Sequence, residues 1–214
     1  MTETTKTQRR RRKAERPEEI RRAALEEIAE KGIAGSTLGG IANRAGISRT
    51  TVYLYFETKQ EIFEAVARDT IERTIDDAAS MLDDHDGPFA TLFESVIDRI
   101  YSQIVTGDAV AILRALLAEG REQADVVAFY HREIFSKGEA TVRRLIAYGI
   151  ERGDLSPNAA ALDPRAIMSP IMFAAMWDLV FGQVDPLDID GFKRDHVALV
   201  LHWILANSRA ASLP

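Results

Sequence analysis

The stretch STLGGIANRAGISRTTVYLYFETK, residues 36–59, decides the fold. Leu38, Ile41, Ala42 and Ala45 recur at i, i+3, i+4 and i+7, one face of a short helix, and Ser36 or Thr37 is available as its N-cap. Gly46 follows as a left-handed C-terminal cap, and Ile47 can pack back on the helix that it ends. Ser48 is a second N-cap only two residues beyond the glycine, opening a helix from Arg49 to Tyr53 or Leu54. Two short helices joined by a glycine turn of three to four residues make a helix-turn-helix. Thr58 and Glu61 then form a capping box that starts a third helix.

In this arrangement Ala42 is small where the helices cross and Val52 returns to the core, which leaves Arg49, Thr50 and Tyr53 pointing outward. A helix with Arg, Thr and Tyr at its N-terminal end suits a DNA major groove. Arginine binds guanine O6 and N7 bidentately, and a threonine methyl touches thymine. The hydroxyls of Ser48 and Thr51, at the positive end of the helix, suit phosphate oxygens, as does Lys59 in the first turn of the next helix.

Working outward, the charge supports this reading. The whole chain of 214 residues carries a net charge of −6, which argues against nucleic acid as a partner. Residues 1–60, however, hold 13 Lys and Arg against 8 Asp and Glu, a net of +5, and residues 61–214 hold 14 against 25, a net of −11. Much of the positive charge lies in Arg9-Arg10-Arg11-Arg12-Lys13, with no apolar periodicity before Ile20. Residues 1–16 are therefore expected to form a disordered basic arm that follows the DNA backbone or enters the minor groove. Pro17 is placed to open a helix, and Ile20, Ala24 and Ile28 form its apolar stripe, ending near Gly32.

Beyond residue 60 helical periodicity predicts segments Thr58–Asp83, Pro88–Thr106, Asp108–Glu119, Asp125–Arg152, Pro164–Phe181 and Asp190–Ser208. No stretch alternates with period two, so the fold class is all-α without a sheet. The expected division is an arm at 1–16, a DNA-binding domain at 17–63, and a helical ligand-binding and dimerisation domain at 64–214.

The order Ile41-Ala42, Ala45-Gly46-Ile47-Ser48, Thr51-Val52-Tyr53, Tyr55-Phe56, Lys59 and Ile62-Phe63 resembles the DNA-binding domain of tetracycline-repressor (TetR) family regulators. The resemblance covers residues 17–65. It implies a homodimeric repressor that binds a near-palindromic double-stranded operator and leaves it when a small molecule enters the C-terminal domain. It also implies backbone contacts from Thr37, Thr51, Tyr53, Tyr55 and Lys59, and base reading by Arg49, Thr50 and Tyr53. Gly39, Gly40 and Leu54 depart from the longer polar or aromatic residues that relatives often carry there, and each glycine costs up to about 1 kcal/mol against alanine in a helix.

In the acidic half, Tyr101, Phe129, Met172 and Trp177 are candidates to border an apolar effector cavity, with Arg114 as an anchor for an anionic effector. The last two helices are apolar on more than one face. Ile167, Ile171 and Ala175, with Val197, Val200, Leu201 and Ile204, are the expected homodimer contacts in a four-helix bundle. Pro170 removes one helical hydrogen bond, from the Ala166 carbonyl, and is expected to kink its helix.

The sequence also excludes functions. Without cysteine there is no disulfide, thiolate nucleophile or Cys-ligated metal site. Asp83, Asp84, His85 and Asp86 read as a solvated linker rather than a metal site, and no cofactor motif occurs; Gly46-Ile47-Ser48-Arg49-Thr50 lacks the final glycine of a nucleophile elbow. Neither apolar run, Ala166–Val180 nor Val197–Ala206, reaches the roughly 18 residues of a membrane span. A cytoplasmic, nucleoid-associated regulator without enzymatic activity is expected. The alternatives are a DNA-binding activator or architectural protein without a ligand and, more remotely, a helical enzyme that uses the C-terminal cavity.

Overall fold

A computed structural model describes residues 3–210 apart from Thr106 and Arg121; the side chains of 3–14, Glu119 and 206–210 lie outside the described set. All regular structure among these residues is helical, as the periodicity predicts. Cα packing divides the chain into two compact units, the first made of residues up to Asp69 with Ala111–Tyr130, the second of Thr70–Val110 and the residues from His131 onward. The first unit thus runs six residues beyond the expected boundary at 63 and recruits a later segment.

The first unit begins with α1 (Glu3–Gly35). Contrary to the expectation of a disordered arm and a start at Pro17, the backbone is helical from Glu3, and Pro17 lies inside the helix. The Lys, Arg, Gln and Ala residues ahead of Pro17 are good helix formers, and an amphipathic segment follows from which the helix can extend. Whether Arg9–Lys13 reach DNA lies outside the described side chains. At Gly32 (φ 74°, ψ 179°) the helical path breaks, where the sequence places its end. Next come α2 (Leu38–Arg44), α3 (Arg49–Tyr53) and α4 (Lys59–Ala67). Ile20, Ala24, Ile28, Ile41, Val52 and Ile62 are buried between these helices. From the later part of the chain, α7 (Ala109–Glu119) from Ala111 and α8 (Ala124–Tyr130) belong to this unit, α8 packing on α4.

The second unit contains α5 (Arg73–Asp84), α6 (Phe89–Ile100), α9 (Ser136–Glu151), α10 (Pro164–Phe181) and α11 (Ile189–Ala210), with a short 3-10 turn at Pro157–Ala161. The segments expected as single helices over 58–83, 88–106 and 125–152 each contain a π-helical turn, at Arg68–Glu72, Tyr101–Val105 and His131–Phe135. Phe89, Phe93, Ile97, Tyr101, Leu145, Ile167, Ile171 and Ala174 are buried in this unit. Pro170 does not break α10, and the Ala166 carbonyl that it leaves without a backbone donor accepts a hydrogen bond from the Ser169 hydroxyl at 3.1 Å.

The expected dimer contacts are corrected in part. Ile167, Ile171, Ala175 and Ile204 are at most 5% exposed within one protomer, and Val197, Val200 and Leu201 are half-buried. The exposed large apolar residues here are Phe173, Met176, Val180 and Phe181 on α10, Val184 just after it, and Leu199 and Trp203 on α11. A helix apolar all round gives no signal of which stripe its own protomer takes, and here the stripe through Ile167 and Ile171 went inward.

Candidate nucleic-acid interface

The turn between α2 and α3 has the expected chemistry in full. Gly46 N–H donates to the Asn43 carbonyl at 3.1 Å and Ile47 N–H to the Ala42 carbonyl at 3.0 Å, the paired bonds of a Schellman cap. Gly46 has φ 63°, and a Cβ there would meet nothing within 4 Å, so the backbone conformation rather than space demands glycine. Gly46→Ala is expected to destabilise the fold by about 1 kcal/mol, the order of the left-handed penalty for an L-residue. Urea unfolding checks this, and an unchanged midpoint would contradict it.

Helices α2, α3 and α4 are each capped by an expected hydroxyl. Thr37 Oγ1 accepts from Gly40 N–H at 3.0 Å, Ser48 Oγ from Thr51 N–H at 3.1 Å, and Thr58 Oγ1 from Glu61 N–H at 3.0 Å. The Glu61 carboxylate reaches one residue further back than a simple capping box, accepting from Glu57 N–H at 2.7 Å. These caps fix the axis of α3 without help from a ligand.

On α3 the structure brings the candidate base readers together. Arg49 and Thr50 are exposed and Tyr53 is 45% exposed. Arg49 Nη2 donates to the Tyr53 hydroxyl at 3.1 Å, and its guanidinium lies 5.6 Å from the centre of the Tyr53 ring. The arginine is thus held against its own helix with its remaining donors free to point outward. Ser48 and Thr51 hydroxyls lie 2.8 Å apart and share one hydrogen bond, so part of their capacity for phosphate is used internally. Tyr55 is half-buried, and Leu54, at 76% exposed, presents a bare apolar side chain beside the readers.

Lys59 departs from the sequence reading. Its Nζ donates to the Ile33 carbonyl at 2.6 Å and the Ala34 carbonyl at 3.2 Å. The break at Gly32 frees these carbonyls at the negative end of α1, and an ammonium satisfies them. Lys59 therefore joins α4 to the end of α1, and at most one of its three N–H donors remains for a phosphate.

The sequence reading missed one residue group that sets the position of α2. Glu27 is 1% exposed; its carboxylate accepts from Arg44 Nε at 2.6 Å and Lys31 Nζ at 2.9 Å. Arg44 also pairs with Glu30. The Arg44 and Lys31 hydrogen bonds hold the Glu27 carboxyl below the usual carboxylate range. A Cβ on Gly40 would stand 2.0 Å from Glu27 Oε1, so Gly40 is the gap through which α1 reaches α2. The signal was present: Glu27 falls on the buried stripe of Ile20, Ala24 and Ile28, where an uncompensated charge has no place.

The effector candidates are distributed over both compact units. Arg114 and Phe129 belong to the first unit, and Tyr101, Met172 and Trp177 to the second. Arg114 is exposed, while the Phe129 ring is buried under the Arg68 guanidinium, 4.7 Å away. Trp177 stacks beside Phe173 and Phe181, and its indole N–H donates to the Asp185 carbonyl at 2.9 Å. Met172 is half-buried and Tyr101 fully buried. Among the described residues no group of three or more His, Asp and Glu side chains is placed to hold a metal ion, and no single helix is long and apolar enough to cross a membrane.

Fold and capped recognition helix together define an all-helical protein of the helix-turn-helix class. Residues 20–66 match the family described as bacterial regulatory proteins, tetR family. The uncharacterized HTH-type transcriptional regulator YvdT of Bacillus subtilis (strain 168) is 33% identical over 84 residues, 39% of this chain and 43% of that protein. The HTH-type transcriptional repressor KstR2 of Mycolicibacterium smegmatis is 26% identical over 198 residues, 89% of this chain and 91% of that protein. A solved regulator of the same family from Mesorhizobium loti superposes with a TM-score of 0.75 at 20% identity, over 91% of this chain and 97% of the other. Residues 20–66 are thus similar in sequence to the tetR family, and the chain as a whole shares the fold of the solved regulator.

Proposed function

We propose that the chain is a ligand-responsive transcriptional regulator, a homodimeric repressor that reads a near-palindromic operator through α3. The observation that carries this is the exposed Arg49, Thr50 and Tyr53 face on a helix fixed by its own caps. Arg49 reads a guanine, Tyr53 steadies it, and Thr50 meets the neighbouring base. Thr37, Ser48, Thr51 and Tyr55 contact the sugar-phosphate backbone, joined by the remaining donor of Lys59. A relative that this chain matches over 91% of that protein's length is named a transcriptional repressor, which supports the direction of regulation.

Two protomers join through the bare α10 and α11 faces and present their α3 helices to half-sites about one DNA turn, roughly 34–36 Å, apart. An apolar small molecule binds in the second unit. The chain passes between the units at Asp69–Thr70, within a π turn, and again at Val110–Ala111 and Tyr130–His131, and the first of these crossings gives occupancy a covalent route through α4 to the helix-turn-helix. A coupling of about 1–3 kcal/mol lowers operator affinity by roughly 5- to 150-fold.

Selection of bound sequences from a random DNA pool tests the reading directly and is expected to return an inverted repeat. Arg49→Ala should lose about 1–3 kcal/mol of discrimination at one base pair in each half-site. A consensus without inverted symmetry, or an Arg49→Ala variant with the wild-type consensus, would contradict it.

A further inference from the structure

At the end of α3 stands a side chain that base reading by Arg49, Thr50 and Tyr53 leaves unused. Leu54 is 76% exposed and keeps the helical backbone of α3 (φ −72°, ψ −15°), its N–H donating to the Thr51 carbonyl at 3.2 Å. A lone surface leucine is ordinary, but this one has a defined place on the helix. Val52 is wholly buried and marks the core side of α3. At about 100° per residue, Thr50 and Leu54 each stand about 160° round the helix from Val52, so together they form the crest turned away from the core. Arg49 and Tyr53, bonded to each other at 3.1 Å, form the column beside it.

The crest therefore carries a methyl and an isobutyl group, with a guanidinium and a phenol at its flank. Residues 1–60 hold 13 Lys and Arg against 8 Asp and Glu, so the partner on this face is anionic. A leucine pressed on phosphate would strip water from the anion and return no hydrogen bond. On the floor of the major groove the base edges present donors and acceptors, and the thymine 5-methyl is the one apolar group among them. An exposed leucine on the crest gains free energy only against that methyl.

We propose that Leu54 is a specificity residue that reads the 5-methyl group of a thymine in each half-site. The proposal rests on the reading of α3 as the major-groove helix. Thr50 and Leu54 are about 6 Å apart along the helix, fewer than two base steps of about 3.4 Å. The thymine under Leu54 therefore lies within about two base pairs of the base that Thr50 meets.

The test uses the full-length dimer and the inverted repeat selected from the random pool. Each thymine is replaced in turn by deoxyuridine, symmetrically in both half-sites, which removes the methyl group alone, and affinity is read by fluorescence anisotropy. At one thymine the replacement is expected to weaken wild type about fourfold per half-site, the transfer of one methyl group into water. Leu54→Ala should bind the thymine operator more weakly by a similar factor and no longer distinguish thymine from deoxyuridine there, while still requiring the guanine read by Arg49. Leu54→Met, which keeps an apolar side chain of similar reach, should retain the distinction. Wild type that is indifferent to deoxyuridine at every thymine, as for a leucine resting on sugar rings, overturns the proposal. So does a Leu54→Ala variant that keeps the whole wild-type deoxyuridine profile. In both cases an inverted repeat with its Arg49-dependent guanine leaves the reading of α3 standing, whereas a pool that yields no inverted repeat fells that reading and this proposal together.

Discussion

Val180→Glu combined with Leu199→Glu is expected to give a folded monomer that has lost nearly all operator affinity. Val180 and Leu199 are 57% and 72% exposed in one protomer, so a carboxylate at either place meets water rather than core. In the proposed dimer both would be desolvated against apolar neighbours, with no cation at hand. Single surface hydrophobes are ordinary, but Phe173, Met176 and Val180 recur on one stripe of α10 with Val184, Leu199 and Trp203 bare nearby, and a patch of that kind marks an association surface. Linking two half-site readers raises affinity by about 10²–10⁴-fold over one alone, and the variant forfeits that factor. Sedimentation would register the monomer and fluorescence anisotropy the affinity, with a salt dependence about half as steep because half the phosphates are neutralised. A double variant that remains dimeric would place the interface elsewhere.

The second large effect is a change of sign. Gly40→Ala alone should destabilise the first unit, although alanine is the better helix former by about 1 kcal/mol. The new methyl takes the position of Glu27 Oε1 and drives a covered carboxylate away from Arg44 and Lys31. Leaving that charge unsatisfied costs about 1–3 kcal/mol, which outweighs the propensity gain. In a Glu27→Ala background the obstruction is gone, and the same Gly40→Ala change should stabilise. A double-mutant cycle measured by urea unfolding isolates the coupling; additive effects would mean that Gly40 is not there to admit Glu27. Acid should reproduce part of the loss. The folded carboxyl lies below its ordinary value of 4.5, so its contribution is complete above that pH and disappears as the pH falls through the lower folded value. Wild type should lose more stability than Glu27→Ala over that interval.

These two sites show what a sequence can and cannot disclose. Every cap from Thr37 to Glu61 was legible, because a cap is a contract between residues three or four apart. The positive φ of Gly46 was legible for the same reason. Glu27 and Arg44 are 17 residues apart, and the carboxylate of one explains the glycine near the other, so reading Gly40 alone gave only a helix cost without its cause. For Lys59 a first-turn lysine suggests phosphate, and its bonds to two carbonyls at the end of another helix could not be read from that position. On α10 and α11 the pattern gave apolar helices correctly, but apolarity on several faces cannot choose among them. Aromatic and methionine side chains at helical spacing serve core, pocket and interface alike, so spacing does not choose among these roles for Tyr101, which is buried, or Trp177, which is half-buried beside Phe173.

Leu54 is 76% exposed at the end of α3, and the chain has no cysteine anywhere in its sequence. Leu54→Cys therefore makes one addressable thiol per protomer, at the tip of the recognition helix, with no background to remove. Spin labels on that thiol in a dimer would give the spacing between the two reading heads as a distance distribution, with and without operator DNA. An apolar residue that adds nothing to the core thus becomes the place from which induction can be watched in ångströms.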